Sequence, residues 1–367
     1  MINTIYDRLR YFFVFMLMLG GSIVSFAQHK HEKWTIRVME YNVENLFDCQ
    51  HDTLKDDYEY LPEGSYKWTR GKYWKKLNSV ARGIVLASSS TGTFIPPDLI
   101  GLCEVENDTV MYDLTHKSLL RGAGYEYVMT NSLDSRGVDV ALLYQPVSFR
   151  YINHYGLRVD TVPGMRQTRD ILYVKGEIKA SAAESISENT QTSIKTVDNQ
   201  SKNSLPAVVP LHVFVVHAPS RRGGEKASRP YRLAVIDRLI HSIDSVRSSE
   251  PDARMIVMGD FNDYDGGHSL RPLLRHDFSD VTTSKYITPD KSVKGTYRYQ
   301  GEWGSLDHIF VSDGMLRNFI CSFIANNKEL LEQDNKYGGV KPFRFFRGPV
   351  LNGGYSDHLP LIADFSF

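Results

Sequence analysis

The chain has 367 residues, 42% of them hydrophobic, with 43 basic and 43 acidic side chains. This length and composition can bury the core of one large domain or two small ones. Zero net charge argues against tight, non-specific gripping of long nucleic acid and leaves only local basic patches for phosphates.

At the N-terminus, Arg8 and Arg10 precede an apolar run from Tyr11 to Phe26, and Ser25 and Ala27 supply small residues before Gln28. This is the pattern of a secretory signal peptide cleaved after Ala27. The run is short for a full membrane span. Residues 1–27 are therefore expected to be removed, with no stable membrane anchor, and the protein is expected to be periplasmic or secreted. Of the three cysteines, Cys103 lies in an apolar run and reads as a core residue, and none has metal-site spacing. A bridge between Cys49 and Cys321 is open at this level.

Strand-like runs then recur along the chain: Thr35–Val43, Asp98–Val105, Tyr125–Thr130, Val138–Tyr144, Ile171–Ile178 and Leu211–His217. Arg254–Gly259, Leu306–Val311 and Leu359–Phe365 follow. Several are continuously apolar, as strands buried on both faces are. Helical spacing marks about Lys72 to Ala87 and about Tyr231 to Val246, with a weaker segment near Val110–Leu120. Residues 180–206 are rich in Ser, Asn, Thr, Lys and Glu and read as a long mobile insertion between two strands. The mix predicts an α/β fold of packed sheets with helices on their outer faces, in one domain over 33–367.

Polar clusters sit at the ends of these runs. Glu104 follows Leu99-Ile100-Gly101-Leu102-Cys103, where a carboxylate needs a cation or donors to satisfy it, and Mg²⁺ takes one or two carboxylates. Glu106 reads instead as a helix N-terminal acid. Asp260 and Asn262, in Gly259-Asp260-Phe261-Asn262, are two apart and point the same way in extended chain. There a carboxylate can take a proton from water while an amide orients it. An Asx-type turn is the rival reading. Ser305-Leu306-Asp307-His308 and Ser356-Asp357-His358 each precede an apolar run, and either His358–Asp307 or His308–Asp357 can form an oriented pair. His217 ends Val213-Phe214-Val215-Val216, followed by Arg221 and Arg222 around Gly223-Gly224, a loop suited to phosphate. Tyr297, Tyr299 and Trp303 can stack on a base or a sugar.

In order, Met39-Glu40-Tyr41-Asn42, Glu104-Val105-Glu106, Val216-His217-Ala218-Pro219-Ser220, Gly259-Asp260-Phe261-Asn262, Leu306-Asp307-His308-Ile309 and Ser356-Asp357-His358-Leu359-Pro360 resemble the endonuclease/exonuclease/phosphatase superfamily. This group contains DNase I, exonuclease III-type repair nucleases and neutral sphingomyelinases. The resemblance implies a DNase I-like four-layer α/β sandwich, two packed mixed β-sheets flanked by helices. It implies that Glu104 is the main metal ligand, with Asn42 and Asp357 near the metal. Asp260 would align or deprotonate water and Asn262 position it. His358, oriented by Asp307, would contact the scissile phosphate. His217 would stabilise phosphate charge or protonate the leaving group, and His308 would be structural.

Arg221, Arg222 and Tyr297 lie in stretches that look like secreted bacterial endonuclease-like members, which often carry Trp where this chain has Ala218. The implied activity is Mg²⁺-dependent phosphodiester hydrolysis, with Mn²⁺ accepted by the same oxygen ligands. The expected partner is nucleic acid or a small phosphodiester. The alternative is a phosphatase or sphingomyelinase-like enzyme acting on a phosphorylated sugar, inositol or lipid head group. A monomer without a protein partner is expected.

Overall fold

Alternation along the strands sorts the described residues into two packed sheets. A computed structural model describes residues 34–179, 208–282 and 292–367. The signal peptide expected at 1–27 and the insertion expected at 180–206 lie outside them. The first sheet contains β1 (Thr35–Leu46), β2 (Leu99–Val105), β3 (Glu126–Met129) and β4 (Asp139–Tyr144). The second holds β5 (Phe149–Leu157), β6 (Ile171–Lys179), β7 (Val208–His217), β8 (Met255–Asp260) and β9 (Phe278–Asp280). A short hairpin, β10 (Tyr297–Tyr299) and β11 (Glu302–Gly304), leads into β12 (Asp307–Ser312) of the second sheet. β13 (Phe319–Ile324) returns to the first sheet. Two more small hairpins follow, β14 (Leu331–Gln333) with β15 (Val340–Pro342) and β16 (Phe346–Arg347) with β17 (Val350–Leu351), before β18 (Leu361–Ser366).

Both large sheets are six-stranded, in the orders β13-β18-β1-β2-β4-β3 and β5-β6-β7-β8-β12-β9. Each is mixed, with one parallel pair, β1 with β2 and β7 with β8. The expected strands are all present, with ends shifted by a few residues. β5, β9 and β13 were not anticipated. β5 is a half-exposed sheet edge whose pattern is too polar to read as a buried strand.

The sheets face each other through Ile256 and Met258 of β8, Val213 and Val215 of β7, and Ile309 and Val311 of β12. The opposite faces of the same strands, with Val257, Phe214 and Phe310, pack on helix α2 (Glu225–Ser249) through Val235, Ile236, Leu239 and Ile243. Each such buried side chain contributes roughly 1.5–3 kcal/mol. Helix α1 (Arg70–Ser88) covers the first sheet with Leu77, Val80 and Ile84. Together these make four layers. Gly101 of β2 admits Met258 from the other sheet, since a Cβ there would lie 3.0 Å from its sulfur. The weak segment near Val110–Leu120 forms a short helix, Asp108–Tyr112, continuing as one π-type turn over Asp113–Lys117. Among the described residues, no helix is long and apolar enough to cross a membrane.

Candidate active site

Strand parity assembles the site. In β7, β8 and β12 the residues facing the other sheet run Val213–Val215–His217, Ile256–Met258–Asp260 and Asp307–Ile309–Val311. His217 is paired in register with Asp260, and Asp260 with Asp307. Three chemically active side chains thus stand in one cross-strand row at the end of the slot between the sheets. Gly259 is needed just before the row. Its φ is +144°, and a Cβ would fall 1.8 Å from the Val216 carbonyl. β1 contributes Glu40 and Asn42, and the Asn42 amide donates to Asp260 Oδ2 at 3.0 Å.

Glu104 reaches the same space only through a backbone irregularity. Gly101 and Cys103 face the second sheet, Cys103 with its Sγ 3.4 Å from the Val216 carbonyl, so regular pleating would turn Glu104 away. The register shifts between Cys103 and Val105, and Glu104 has φ +68°. A bulge of this kind re-aims a side chain. Glu104 Oε2 accepts from the Asn45 N–H at 2.9 Å, and Oε1 lies 3.8 Å from His217 Nε2.

Asp260 and Asn262 meet differently from the sequence expectation. β8 ends at Asp260, Asn262 has φ +49°, and its N–H donates to Asp260 Oδ1 at 2.8 Å. This is an Asx-type turn rather than extended chain. The Asn262 amide donates to the Ala218 carbonyl at 3.1 Å. Ala218 is buried in the outer cluster beneath α2. Burial, with Asp307 acting against the opposing pull of His358, pushes the Asp260 carboxyl up to about 7.

His358 pairs with Asp307, its Nδ1 donating to Oδ2 at 2.7 Å, and Thr296 Oγ1 donates to the same oxygen. Burial disfavours the charged ring, but Asp307 outweighs it and holds His358 well above its ordinary range. His217 is the opposite case. Burial, then Arg169 and Arg136, depress it well below the ordinary range, so it is neutral at pH 7.

His308 does not pair with Asp357. Parity puts it on the outer face, fully buried, bonded to Asp280 at 3.0 Å and to the Asp263 carbonyl at 3.0 Å. Despite burial, the Asp280 bond raises it to about 9. Glu106 is not a helix-end acid; its Oε2 accepts from the Asp48 N–H at 2.6 Å, and Asn107 caps the helix.

A cavity of about 730 Å³ opens over the row and is lined by Asn42, Glu104, His217, Asp260, Asn262, Tyr297, Asp357 and His358. Arg222 also lines it. Arg221 does not; its guanidinium lies 4.6 Å from the centre of the Tyr264 ring. Asp357 Oδ2 meets Arg344 Nη2 at 3.2 Å, and Arg344 also holds Glu44 at 2.8 Å.

Besides Arg344, two buried site residues escaped the sequence reading. Arg169 is 6% exposed; it donates to Asp134 at 3.2 Å and to the Ala218 carbonyl at 3.0 Å. Ala218 O thus ties the end of β7 to Asn262 and to the start of β6. Arg169-Asp170 stands before the apolar start of β6, the same signal that marked Asp307 before β12. Glu40 is fully buried with neither carboxylate oxygen bonded to a donor, and burial followed by Asp307 and Asp260 raises it well above the carboxylate range. Its only sequence signal is a charge inside an apolar strand. Arg169→Lys is expected to lower kcat/KM about 10-fold, because an ammonium cannot reproduce the two-pronged contact. Steady-state kinetics beside a melting curve checks this.

The family model described as endonuclease/exonuclease/phosphatase family matches residues 37–204 and 181–366. The chain belongs to that family. It is therefore a phosphoester hydrolase of that family. Among solved structures, an endonuclease/exonuclease/phosphatase family protein from Bacteroides thetaiotaomicron is similar, with TM-score 0.53 at 14% identity, covering 92% of this chain and 99% of that one. A mannosyl-6-phosphatase from the same species has TM-score 0.51 at 14% identity, covering 90% and 100%. Humanized D. rerio TDP2 has TM-score 0.50 at 14% identity, covering 90% and 98%. At these identities the likeness is one of fold. No curated protein matches the chain.

The donor set fits a hard divalent cation. Glu104, Asn42 and Asp357 line the same cavity and offer oxygen atoms to it, and the Glu40 carboxylate behind them has no hydrogen-bond donor of its own. Asp260, Asp307 and His358 also form a close ligand-type group. Asp307, however, already accepts from His358 and Thr296 through its two oxygens, which leaves Glu104 as the better primary ligand.

Proposed function

We propose that this protein is an exported, Mg²⁺-dependent phosphodiesterase that hydrolyses nucleic-acid phosphodiester bonds by in-line attack of water. The observation that carries the reading is the basic lining of the cavity beyond the catalytic row, where Arg136, Arg166 and Arg222 are exposed. A polyanionic strand carries phosphates beyond the scissile one and suits a cavity lined in this way.

Glu104, with Asn42 and Asp357 near it, would hold Mg²⁺ or Mn²⁺, which when bound neutralises phosphate charge and acidifies water. Asp260, at about 7, accepts the proton of the attacking water. Asn42 and the Asn262 N–H fix the Asp260 carboxylate in place. His358 carries positive charge toward the phosphate while Asp307 sets its orientation. Neutral His217 donates a hydrogen bond to a phosphate oxygen, and cationic His358 is the group with a proton to give the leaving oxygen.

A second reading, a phosphatase for a phosphorylated sugar, inositol or lipid head group, draws on the cavity itself. About 730 Å³ is the size of a small-molecule site. A mannosyl-6-phosphatase also has this fold.

The test follows supercoiled plasmid, an RNA oligomer, bis-p-nitrophenyl phosphate and mannose 6-phosphate side by side, using chain lacking residues 1–27. EDTA is expected to remove activity and Mg²⁺ to restore it. Plasmid nicking that weakens steeply with salt supports the nuclease reading. Turnover of the small esters alone rejects it in favour of the second. Sequencing the N-terminus of protein recovered outside the cytoplasm tests export, with Gln28 the expected first residue.

A further inference from the structure

A second, smaller cavity of about 170 Å³ opens beside the first and shares Tyr297 and Asp357 with it. Its other walls include Lys336, Tyr337, Lys341 and Arg344. The frame beneath it is rigid. The Arg298 guanidinium donates to the Gly301, Val340 and Gly338 carbonyls at 2.8–3.0 Å and to Asp334 at 3.2 Å. It thereby ties the β10–β11 hairpin to the β14–β15 hairpin. Asp334 also accepts from the Lys336 and Tyr337 N–H groups. Arg298 and Asp334 are therefore occupied as scaffold.

The two lysines are less committed. Lys341 Nζ is 3.9 Å from both Glu332 and Asp334, beyond hydrogen-bond length. Lys336 rests its ammonium 4.9 Å from the Tyr337 ring centre. The Arg344 side chain is 41% exposed but already pairs with Glu44 and Asp357. Tyr297 stands at the mouth, its ring 4.9 Å from that of His358.

We propose that this side cavity is a subsite for a second phosphate group of the substrate, adjacent to the scissile one. Two lysines on the wall of a 170 Å³ space, with Arg344 balancing Asp357 beside them, suit a tetrahedral anion. Tyr297 and Asp357 line both cavities, which puts the two side by side and within the span of one molecule. The subsite serves a backbone phosphate next to the cleaved bond, or the second phosphate of a small bisphosphate. The inference rests on the proposed function only in calling this molecule a substrate.

Binding is measured by calorimetry on Asp260→Asn protein, so turnover is not needed. One arm compares adenosine 3′,5′-bisphosphate with adenosine 5′-monophosphate. The other compares a thymidine trinucleotide with the dinucleotide. The bisphosphate or the trinucleotide is expected to bind about 10-fold tighter than its shorter partner, as contact with a charged group contributes. In the added Lys336→Ala/Lys341→Ala background that ratio is expected to fall to within about 2-fold. Both lysines are on the surface hairpin, and a melting curve verifies folding. A preference in the first arm alone assigns the subsite to a terminal phosphate, and one in the second to a backbone phosphate. No preference in either arm, or a preference that survives the double substitution, overturns the proposal. Failure of the parent enzyme to cleave any phosphoester would reject the proposed function while leaving this binding result intact.

Discussion

Asp260→Asn is expected to lower kcat by about 10³-fold, the range of a lost general base, without loss of fold. The isosteric amide keeps one acceptor, for the Asn262 N–H, gives up the bond from the Asn42 amide, and removes no packing. A second readout separates chemistry from packing. Asp260 is raised from 3.8 to about 7 in the folded, metal-free protein. The folded state therefore binds more protons than the unfolded state between those values. This contribution to stability is fully present below the unfolded value and lost as pH rises through about 7. In EDTA, the fall in melting temperature from pH 4 to pH 7 should thus be shallower in Asp260→Asn than in the parent. Added Mg²⁺ should flatten it in the parent, because a cation compensates the ionised carboxylates. A variant with parental kcat would sink the assignment of Asp260 as base.

Asp307→Asn is expected to cost about 10²–10⁴-fold in kcat, as loss of an orienting carboxylate does elsewhere. Asp307 is the chief group holding His358 above its ordinary range, against the effect of burial. Without it the His358 proton leaves at lower pH. The alkaline limb of the kcat profile should move toward acid in the variant, while the limb assigned to Asp260 should not move toward higher pH, since a neighbouring negative charge has gone. The pH profile of bis-p-nitrophenyl phosphate cleavage checks both limbs. An unmoved alkaline limb would mean that His358 is not the group whose deprotonation ends activity.

Much of this site was readable because the active groups interrupt apolar strands at their ends. His217, Asp260 and Asp307 each adjoin an uninterrupted buried run, and their strands proved to be neighbours. Parity could also have separated Asp307 from His308, since Phe310 and Ile309 face different layers. What the sequence concealed were local exceptions to regular geometry. The Glu104 bulge and the Asn262 turn depend on positive φ at non-glycine residues, which no pattern of hydrophobicity reveals. Arg169 and Arg344 were hidden for another reason. They come from loops, where a cation is ordinary, and only the fold shows that one braces Ala218 and the other faces Asp357. The half-exposed edge strand β5 and the short strand β9 lack the buried runs that marked the others.

The cross-strand row has an evolutionary corollary. His217, Asp260 and Asp307 are spaced by the hydrogen bonds of a central ladder, flanked by two helically covered layers. The groups that would meet the rest of a substrate, such as Arg136, Arg222, Lys336 and Arg344, come from connections outside that ladder. Reaction and recognition therefore sit on separate parts of the chain. A loop can be lengthened, recharged or exchanged without altering the spacing of the reacting groups, so a lineage can try new phosphoesters while its hydrolytic core stays fixed.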